Sequence, residues 1–375
     1  MTQTSAPPLD NTTVLVKGPV AGSGPDDRVH YLVVSADPAA GQRMELGAKP
    51  IVIGREPPAD MVLPDTRISR KHCRVGLVLD DVFVTDLGSS NGTYIDGQRV
   101  SGNAFLPVGG RLRLGDHTLV HEWRARRDVQ ASRELDHDLE NASQYVRSLI
   151  PPPLESGPIR TEWILLPSTR LGGDVFGYHH LDDDRFAIYL IDVSGHGTGP
   201  AMHAVSVTNV IRGRSMPGVD PGSPAQVARY LNSTFQMSSH GGLYFTIWYG
   251  VYDLRSREIT YCSAGHHQSL LVGPERNASV ALRTPNIAIG VTPSFQFSES
   301  RAPVPPGSSL YVFSDGAFEI EMADGEQWTI EAFAQAVSAP RGATPETDRL
   351  RDAARAVAKS PAFDDDFSIV VATFA

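Results

Sequence analysis

The sequence predicts two domains, an all-β sandwich followed by an α+β domain, joined by a helix. Three observations carry this. From His30 to about Trp123, short β-branched runs alternate with Gly, Asn and Asp turns. The period then changes to that of one amphipathic helix. From about Gly157 onward, strand-like and helix-like runs are mixed, and hairpin-length turns between consecutive strands point to antiparallel pairing. The length agrees, since 375 residues at about 150 per domain leave room for two full cores.

Taken in order, residues 1–28 are rich in Thr, Pro, Gly and Ser without a period and are expected to form a disordered tail. Residues 29–124 hold the strand-like runs IVIGR, CRVGLVL, VFVTDL, TYIDGQRV and LRLGDHTLV, with Asp96-Gly97 and Gly115-Asp116 placed where tight hairpins turn. Residues 125–150 form the linker helix. Leu135, Leu139, Ala142, Val146 and Leu149 are spaced 4, 3, 4 and 3 apart, and Pro151-Pro152-Pro153 end the helix because they cannot donate its hydrogen bonds. The stripe covers only about two heptads, fewer than a coiled coil needs. Two readings therefore stay open, a seam between chains and a connector packed on a neighbouring domain.

Residues 151–375 carry FAIYLIDV, YFTIWYGVYDL, EITYCSA, LYVFSD and FSIVVATF as strands. The first and last are nearly continuous apolar runs suited to burial on both faces. Ser223-Pro224-Ala225-Gln226 is expected to be a capping box with Pro at the first helical position. Thr344-Pro345 opens a second helix with Leu350, Ala353, Ala354 and Val357 on one face, and Ile330, Phe333, Ala334 and Val337 mark a third.

Composition excludes several classes. Asp plus Glu number 43 against 33 Lys plus Arg, a net charge of -10, so a duplex nucleic acid meets a repelling average field. No apolar run approaches the roughly 20 residues of a membrane span. The opening MTQTSAPPLDNTTV lacks the basic and apolar regions of a secretory signal. Cys73 and Cys262, each in a strand-like run, suit reduced thiols. A cytoplasmic protein without nucleic-acid or membrane partners is expected.

Polar chemistry in the first domain concentrates in Gly54-Arg55, Ser69-Arg70-Lys71-His72 and Ser89-Ser90-Asn91-Gly92-Thr93, at strand ends where the loops of a sandwich converge. GRE, SRKH and SSNGT, in this order, resemble the signatures of a forkhead-associated (FHA) domain over about Tyr31 to Trp123. A phosphothreonine carries about -1.5 to -2 charge and three acceptor oxygens, so its reader needs a guanidinium with hydroxyl and amide donors. Arg55, Ser69 and Arg70 supply charge and hydroxyl. The resemblance implies that Asn91 holds the ligand backbone and that His72 braces its loop. Gly88-Ser89-Ser90-Asn91-Gly92 also matches a hydrolase nucleophile elbow, but that motif needs a following helix and a hairpin follows instead.

In the second domain, acidic residues stand beside glycines or at strand ends in LGGD (171–174), DVSGHG (192–197), SDG (314–316) and DDDFS (364–368). Oxygen-only donors suit Mg²⁺ or Mn²⁺ better than Zn²⁺. The order GGD, DVSGHG, AGHH, SDG, DDDFS resembles the PPM family of metal-dependent serine/threonine phosphatases, the protein phosphatase 2C-like group, in its SpoIIE/RsbU branch. The resemblance implies an αββα sandwich, two antiparallel sheets flanked by helices. It also implies two Mn²⁺ or Mg²⁺ ions per active site, bridged by Asp192 and held by the Val193 carbonyl, Asp315 and Asp365, with Asp174 contributing directly or through water. Asp365 is chosen over its neighbours Asp364 and Asp366 because it precedes the D-F-S that resembles the family's D/N-x-S/T. His196 is either the proton donor to the leaving oxygen or an exposed turn residue. His266-His267 match a turn that frames the catalytic edge. Gly177 stands where many members of the branch carry a second Asp.

The resemblance further implies a phosphoprotein substrate, an anti-anti-sigma factor of the STAS fold, a phosphothreonine partner at the FHA domain and a homodimer through the linker helix. The rival is an FHA binding scaffold fused to a catalytically silent phosphatase fold, against which Asp192, Asp315 and Asp365 stand intact.

Overall fold

The computed structural model describes residues 28–35 and 41–375. Of the stretch 1–28, predicted to carry no element, only Arg28 is described, and it opens the first strand; the rest lies outside the described residues. The chain divides into two units, Met1–Asp136 and His137–Ala375. Among the described residues no helix is long and apolar enough to cross a membrane.

The first unit is built from two sheets. One is six-stranded, in the order Arg43–Leu46, Arg28–Val34, His117–Ala125, Arg111–Leu114, Thr93–Ile95, Gln98–Arg99; the other is five-stranded, in the order Met61–Val62, Ile51–Gly54, Cys73–Val78, Asp81–Asp86, Asn103–Leu106. Leu32, Leu112 and Leu119 from the first sheet pack on Ile53, Val75, Val82 and Val84 from the second, all fully buried. Their alternation with exposed residues, as in Arg111–Leu114, is the period of strands with one face inward. Asp96 and Gly97 have φ of 46° and 82°, the left-handed pair that closes a two-residue hairpin with the twist of its strands.

Helix α1 (Arg126–Ser148) follows and stops before the three prolines. Its stripe is unevenly covered. Leu135 is 59% exposed, Leu139, Ala142 and Val146 are half-buried, and Leu149 just beyond the helix is buried.

The second unit has two five-stranded antiparallel sheets. Their orders are Ile159–Leu166, Phe367–Phe374, Ser309–Phe313, Ser269–Val272, Ser279–Leu282 and Asp174–His180, Arg185–Val193, Phe245–Asp253, Glu258–Ala264, Ser300–Pro303. The apolar run Phe186–Ile191 is fully buried because it is covered twice. Phe186, Ile188 and Leu190 join Val312, Val370 and Ala372 of the other sheet in one core. Ala187, Tyr189 and Ile191 point the other way, into a second core under helices α2 (Thr198–Arg212) and α3 (Pro224–Thr234). In the other sheet, Phe367, Ile369 and Val371 face Phe333 and Leu350 of helices α4 (Ile330–Ser338) and α5 (Glu346–Val357), while Val370, Ala372 and Phe374 face inward. The result is helices, sheet, sheet, helices, the αββα order expected. At about 1.5–3 kcal/mol per fully buried large apolar side chain, these three cores dominate the unit's stability.

The capping box at α3 does not form. Ser223 occupies the N-cap and Pro224 the first turn, but the Ser223 hydroxyl and the Ala225 N–H both donate to the Glu299 carboxylate, at 3.1 and 3.0 Å. A full negative charge at a helix N-terminus complements the dipole better than a neutral hydroxyl. At the start of α5 the Glu346 carboxylate is buried and accepts from Arg276 (2.8 Å), Arg349 (2.7 Å) and the Tyr311 hydroxyl (2.7 Å). Burial pushes this carboxyl up, and Arg349, Tyr311 and Arg276 together hold it below its ordinary value. Cys73 and Cys262 are both free and buried, one in each unit, and burial raises both thiol pKa values.

Candidate functional site

Strand register places the first pair of carboxylates. Asp174 opens the outer strand of its sheet, and Asp192 lies directly opposite near the end of the next strand. Like charges across a sheet repel. The other sheet supplies Asp315, in a short 3-10 turn (Asp315–Ala317) just after strand Ser309–Phe313, and Asp365, just before strand Phe367–Phe374. These two strands pair, and Ser314 N–H donates to Ser368 O at 3.0 Å, so both acids emerge at one end of that sheet.

One residue ties the two ends together. Asp366 accepts hydrogen bonds from Ser168 N–H (2.8 Å), Ser168 Oγ (3.0 Å), Gly173 N–H (2.7 Å) and Asp174 N–H (3.4 Å). The glycines of the motifs exist for this approach. A Cβ on Gly172 would sit 2.1 Å from an Asp366 carboxylate oxygen, and one on Gly316 would sit 2.3 Å from Asp366 O. A Cβ on Gly173 would lie 2.5 Å from the Val193 carbonyl oxygen. His266 adds a second tie. Its Nε2–H donates to Phe313 O (3.0 Å) while Nδ1 accepts from the Thr246 hydroxyl (2.7 Å), one partner in each sheet.

The electrostatics are those of an anionic cluster. Burial raises the Asp192 pKa to about 7, helped by the charges of Asp315, Asp365 and Asp366. Burial and then the Asp365 and Glu319 charges raise Asp315 to about 6. Asp174 is 4% exposed; burial, then Asp192 and Asp366, push its carboxyl well above the ordinary range. Its Oδ2 has no hydrogen-bond partner. Among the described residues, no lysine or arginine forms an ion pair with Asp174, Asp192, Asp315 or Asp365. Among the described residues, no group of three or more His, Cys, Asp or Glu side chains stands, as placed, where it could hold a metal ion. The donor set nevertheless fits hard cations, because an orphaned buried carboxylate oxygen and raised acids are relieved by positive charge. His196 stands exposed between Gly195 and Gly197, whose φ values are 87° and 97°.

In the first unit, the three polar loops are joined by direct hydrogen bonds. Arg55 N–H donates to Ser69 O (3.1 Å), and Ser90 N–H donates to Ser69 Oγ (3.2 Å). Gly54 permits the first contact, since a Cβ there would lie 2.0 Å from Arg70 O. His72 is fully buried. Its Nδ1 accepts from Ser69 N–H (3.1 Å), so the proton sits on Nε2, which donates to Gly92 O (3.2 Å). It braces two loops, as expected. The Asn91 amide nitrogen donates to Arg67 O (2.7 Å). The Arg55 side chain is 38% exposed, and Arg70 is exposed.

Two residues escaped the sequence reading, Glu319 and Asp86, and so did the role of Asp366 as the clamp between the sheets. Glu319 N–H donates to Asp315 O at 2.7 Å. Asp86 organises the third loop, accepting from Ser89 Oγ and Thr93 Oγ1 (2.6 Å each) and from the Gly88 and Ser89 N–H groups (2.8 Å each). The D-x-G-S spacing of an Asx turn was the available signal.

The comparisons with known proteins agree with this geometry. The stage II sporulation protein E (SpoIIE) family matches residues 182–375 and the FHA domain matches residues 51–115. The chain belongs to the SpoIIE family and carries an FHA domain N-terminal to its SpoIIE-type phosphatase-fold domain. It is similar to the phosphoserine phosphatase RsbP of Bacillus subtilis, 25% identical over 183 residues that make up 48% of this chain and 45% of RsbP. It is similar to the FHA domain-containing protein FhaB of Mycobacterium tuberculosis, 38% identical over 85 residues, 23% of this chain and 55% of FhaB. The chain thus spans about half the length of these relatives. The solved SiaA-PP2C domain of Pseudomonas aeruginosa superposes with a TM-score of 0.57 at 18% identity, covering 65% of this chain and 99% of that domain, so the second unit has the PP2C fold.

Asp86 generates a pH prediction. Burial pushes its carboxyl up, but hydrogen bonds from Ser89, Thr93 and Gly88 outweigh this and hold it at about 2, below the ordinary 3.8. A depressed folded-state value gives stability that is complete above the unfolded value and lost as pH falls through the folded one. In urea unfolding, the advantage of the wild type over Asp86→Asn is full at about pH 5 and shrinks toward about pH 2. An equal gap at both ends would show that Asp86 does not act through its charge.

Proposed function

We propose that the chain is a metal-dependent phosphoserine/phosphothreonine protein phosphatase of the cytoplasm, with an FHA domain that binds phosphothreonine to recruit a partner or to regulate. The observation that carries this is the cluster Asp174, Asp192, Asp315 and Asp365, two acids from each sheet: burial and neighbouring charge raise Asp174, Asp192 and Asp315, and among the described residues none of the four has a lysine or arginine ion-pair partner. The names of RsbP and RsbU, both called phosphoserine phosphatases, support the reaction class.

Asp174, Asp192, the Val193 carbonyl, Asp315 and Asp365 are the groups that, in our assignment, would hold two Mn²⁺ or Mg²⁺ ions. Asp365 is preferred over Asp366 because the Asp366 carboxylate is already occupied by three backbone N–H groups and the Ser168 hydroxyl. When bound, such a pair supplies an activated water at neutral pH and neutralises phosphoryl charge, so no protein nucleophile is required. His196, out in solvent on the DVSGHG loop, is the group we assign to give a proton to the departing serine oxygen. Arg55, Ser69, Arg70 and Asn91 form the phosphopeptide rim: guanidinium and hydroxyl meet the phosphate, and the Asn91 carboxamide meets the ligand backbone. A phosphorylated STAS-fold anti-anti-sigma factor is the substrate we infer from the family resemblance. The stripe on α1, exposed at Leu135, is the surface we assign to a homodimer.

The metal assignment predicts that Asp192→Asn abolishes manganese-dependent hydrolysis of p-nitrophenyl phosphate while the chain stays folded; undiminished turnover would refute it and favour the silent-scaffold reading. A charged hydrogen bond contributes about 1.5–3 kcal/mol, so Arg55→Ala weakens phosphothreonine-peptide binding by roughly ten- to a hundred-fold in calorimetry, with metal-dependent turnover unchanged. Equal wild-type affinity for the unphosphorylated peptide would remove the reader role. A charge buried in an apolar seam costs several kcal/mol, so Leu139→Asp converts a dimer to a monomer in light scattering. An unchanged mass would make the helix a spacer.

A further inference from the structure

The outer strand Asp174–His180 carries a second polar site on its other face. Gly177 is three residues beyond Asp174, roughly 10 Å along a strand at about 3.3 Å per residue, and the odd spacing turns it away from the carboxylate cluster. There, a cleft of about 380 Å³ opens beside the C-terminal end of α2, lined by Gly177, His179, His180, Tyr189, Arg212 and Arg214, with Pro151 and Tyr178 completing its wall. A volume of this size suits a small ligand.

Its chemistry is one-sided. Two guanidinium groups and two imidazoles face it, and no acid does, in a chain of net charge -10. Among the described residues, neither Arg212 nor Arg214 forms an ion pair with a carboxylate; Arg214 donates one hydrogen bond, to His180 O at 2.9 Å. The floor is Tyr189, fully buried, whose hydroxyl has no hydrogen-bond partner. That hydroxyl lies where a side chain on residue 177 would be: a Cβ on Gly177 would sit 2.4 Å from it. Residue 177 is thus a bare glycine facing an unsatisfied O–H donor. His179 packs edge-on against the Tyr189 ring, with centroids 6.5 Å apart. Burial, then Arg214 and Arg212, hold its ring pKa at about 4, so at neutral pH it offers a neutral N–H.

An arginine in the last turn of α2 complements the helix dipole, which accounts for Arg212 alone. It leaves the buried hydroxyl, the second guanidinium and the imidazole unexplained. An unpaired buried hydroxyl is costly, and a set of convergent donors without an acceptor is the complement of an oxyanion.

We propose that this cleft binds a small tetrahedral oxyanion, either inorganic phosphate or the phosphate of a small phosphomonoester, between Arg212, Arg214, His179 and the Tyr189 hydroxyl. The site is separate from the carboxylate cluster and does not depend on the proposed phosphatase activity.

The test uses the full chain carrying Arg55→Ala, which weakens phosphate binding at the FHA rim, in EDTA, where the aspartate cluster repels anions. Inorganic phosphate and adenosine monophosphate are each titrated calorimetrically. Saturable binding is expected, weakened about ten-fold or more by Arg212→Gln or by Arg214→Gln, both at exposed positions, and several-fold by Tyr189→Phe, which removes only the hydroxyl. Adenosine monophosphate binding no tighter than phosphate assigns the free ion; tighter binding with the same variant losses assigns a phosphomonoester. Absence of binding, or parental affinity in either arginine variant, overturns the proposal. So does parental affinity in Tyr189→Phe, the result expected of surface charge alone.

Discussion

The Asp366 carboxylate is the constraint on which the second unit's functional end depends. It belongs to the segment that enters the final strand of one sheet, yet its acceptor capacity is filled by Ser168, Gly173 and Asp174 at the edge of the other. Two sheets that touch only through apolar side chains could slide; a carboxylate bonded to backbone N–H groups fixes their ends to hydrogen-bond tolerance. Gly172 and Gly316 have no side chain because that carboxyl group and its backbone fill the space. The Asp174 backbone is thereby set opposite Asp192, and the Asp315 turn is held to the same segment through the Ser314 hydroxyl on Asp366 O at 2.9 Å.

Under the proposed function, the two units face phosphate with opposite charge. The rim around Arg55 and Ser69 presents donors directly, and its shape is maintained by an internal anion, Asp86, held ionised by the loop it organises. The aspartate cluster presents only acceptors and by itself repels a phosphoryl group, so the proposed hydrolysis calls for positive charge between them. The proposed binding and the proposed hydrolysis of one functional group impose contrary demands on residue type, and the two separate folds differ in just that way.

Much of this arrangement was legible because the motifs are local. A strand end, a glycine and an aspartate in GGD, DVSGHG and SDG report close backbone approach, and the even burial of Phe186–Ile191 and Phe367–Phe374 followed from unbroken apolar runs. What the sequence hid is what comes from far along the chain. Ser223-Pro224-Ala225-Gln226 has the composition of a capping box, but Glu299, 76 residues away, outcompetes the local hydroxyl. Within Asp364-Asp365-Asp366 the roles could not be separated by spacing. Burial separates them: Asp366 turns inward, while Asp364 and Asp365 remain exposed. The stripe on α1 left two readings open because two heptads do not fix what covers a helix.

Cys73 and Cys262 lie at 0% and 1% exposure, one in each unit, with thiols that burial keeps protonated. A thiol reagent needs an accessible thiolate, so in the folded chain both are chemically silent. The native protein is thus a ready background for site-directed labelling: a cysteine introduced at any exposed position becomes the sole reactive thiol, and a pair of them, one per unit, reports the distance between the two units without first removing a natural residue.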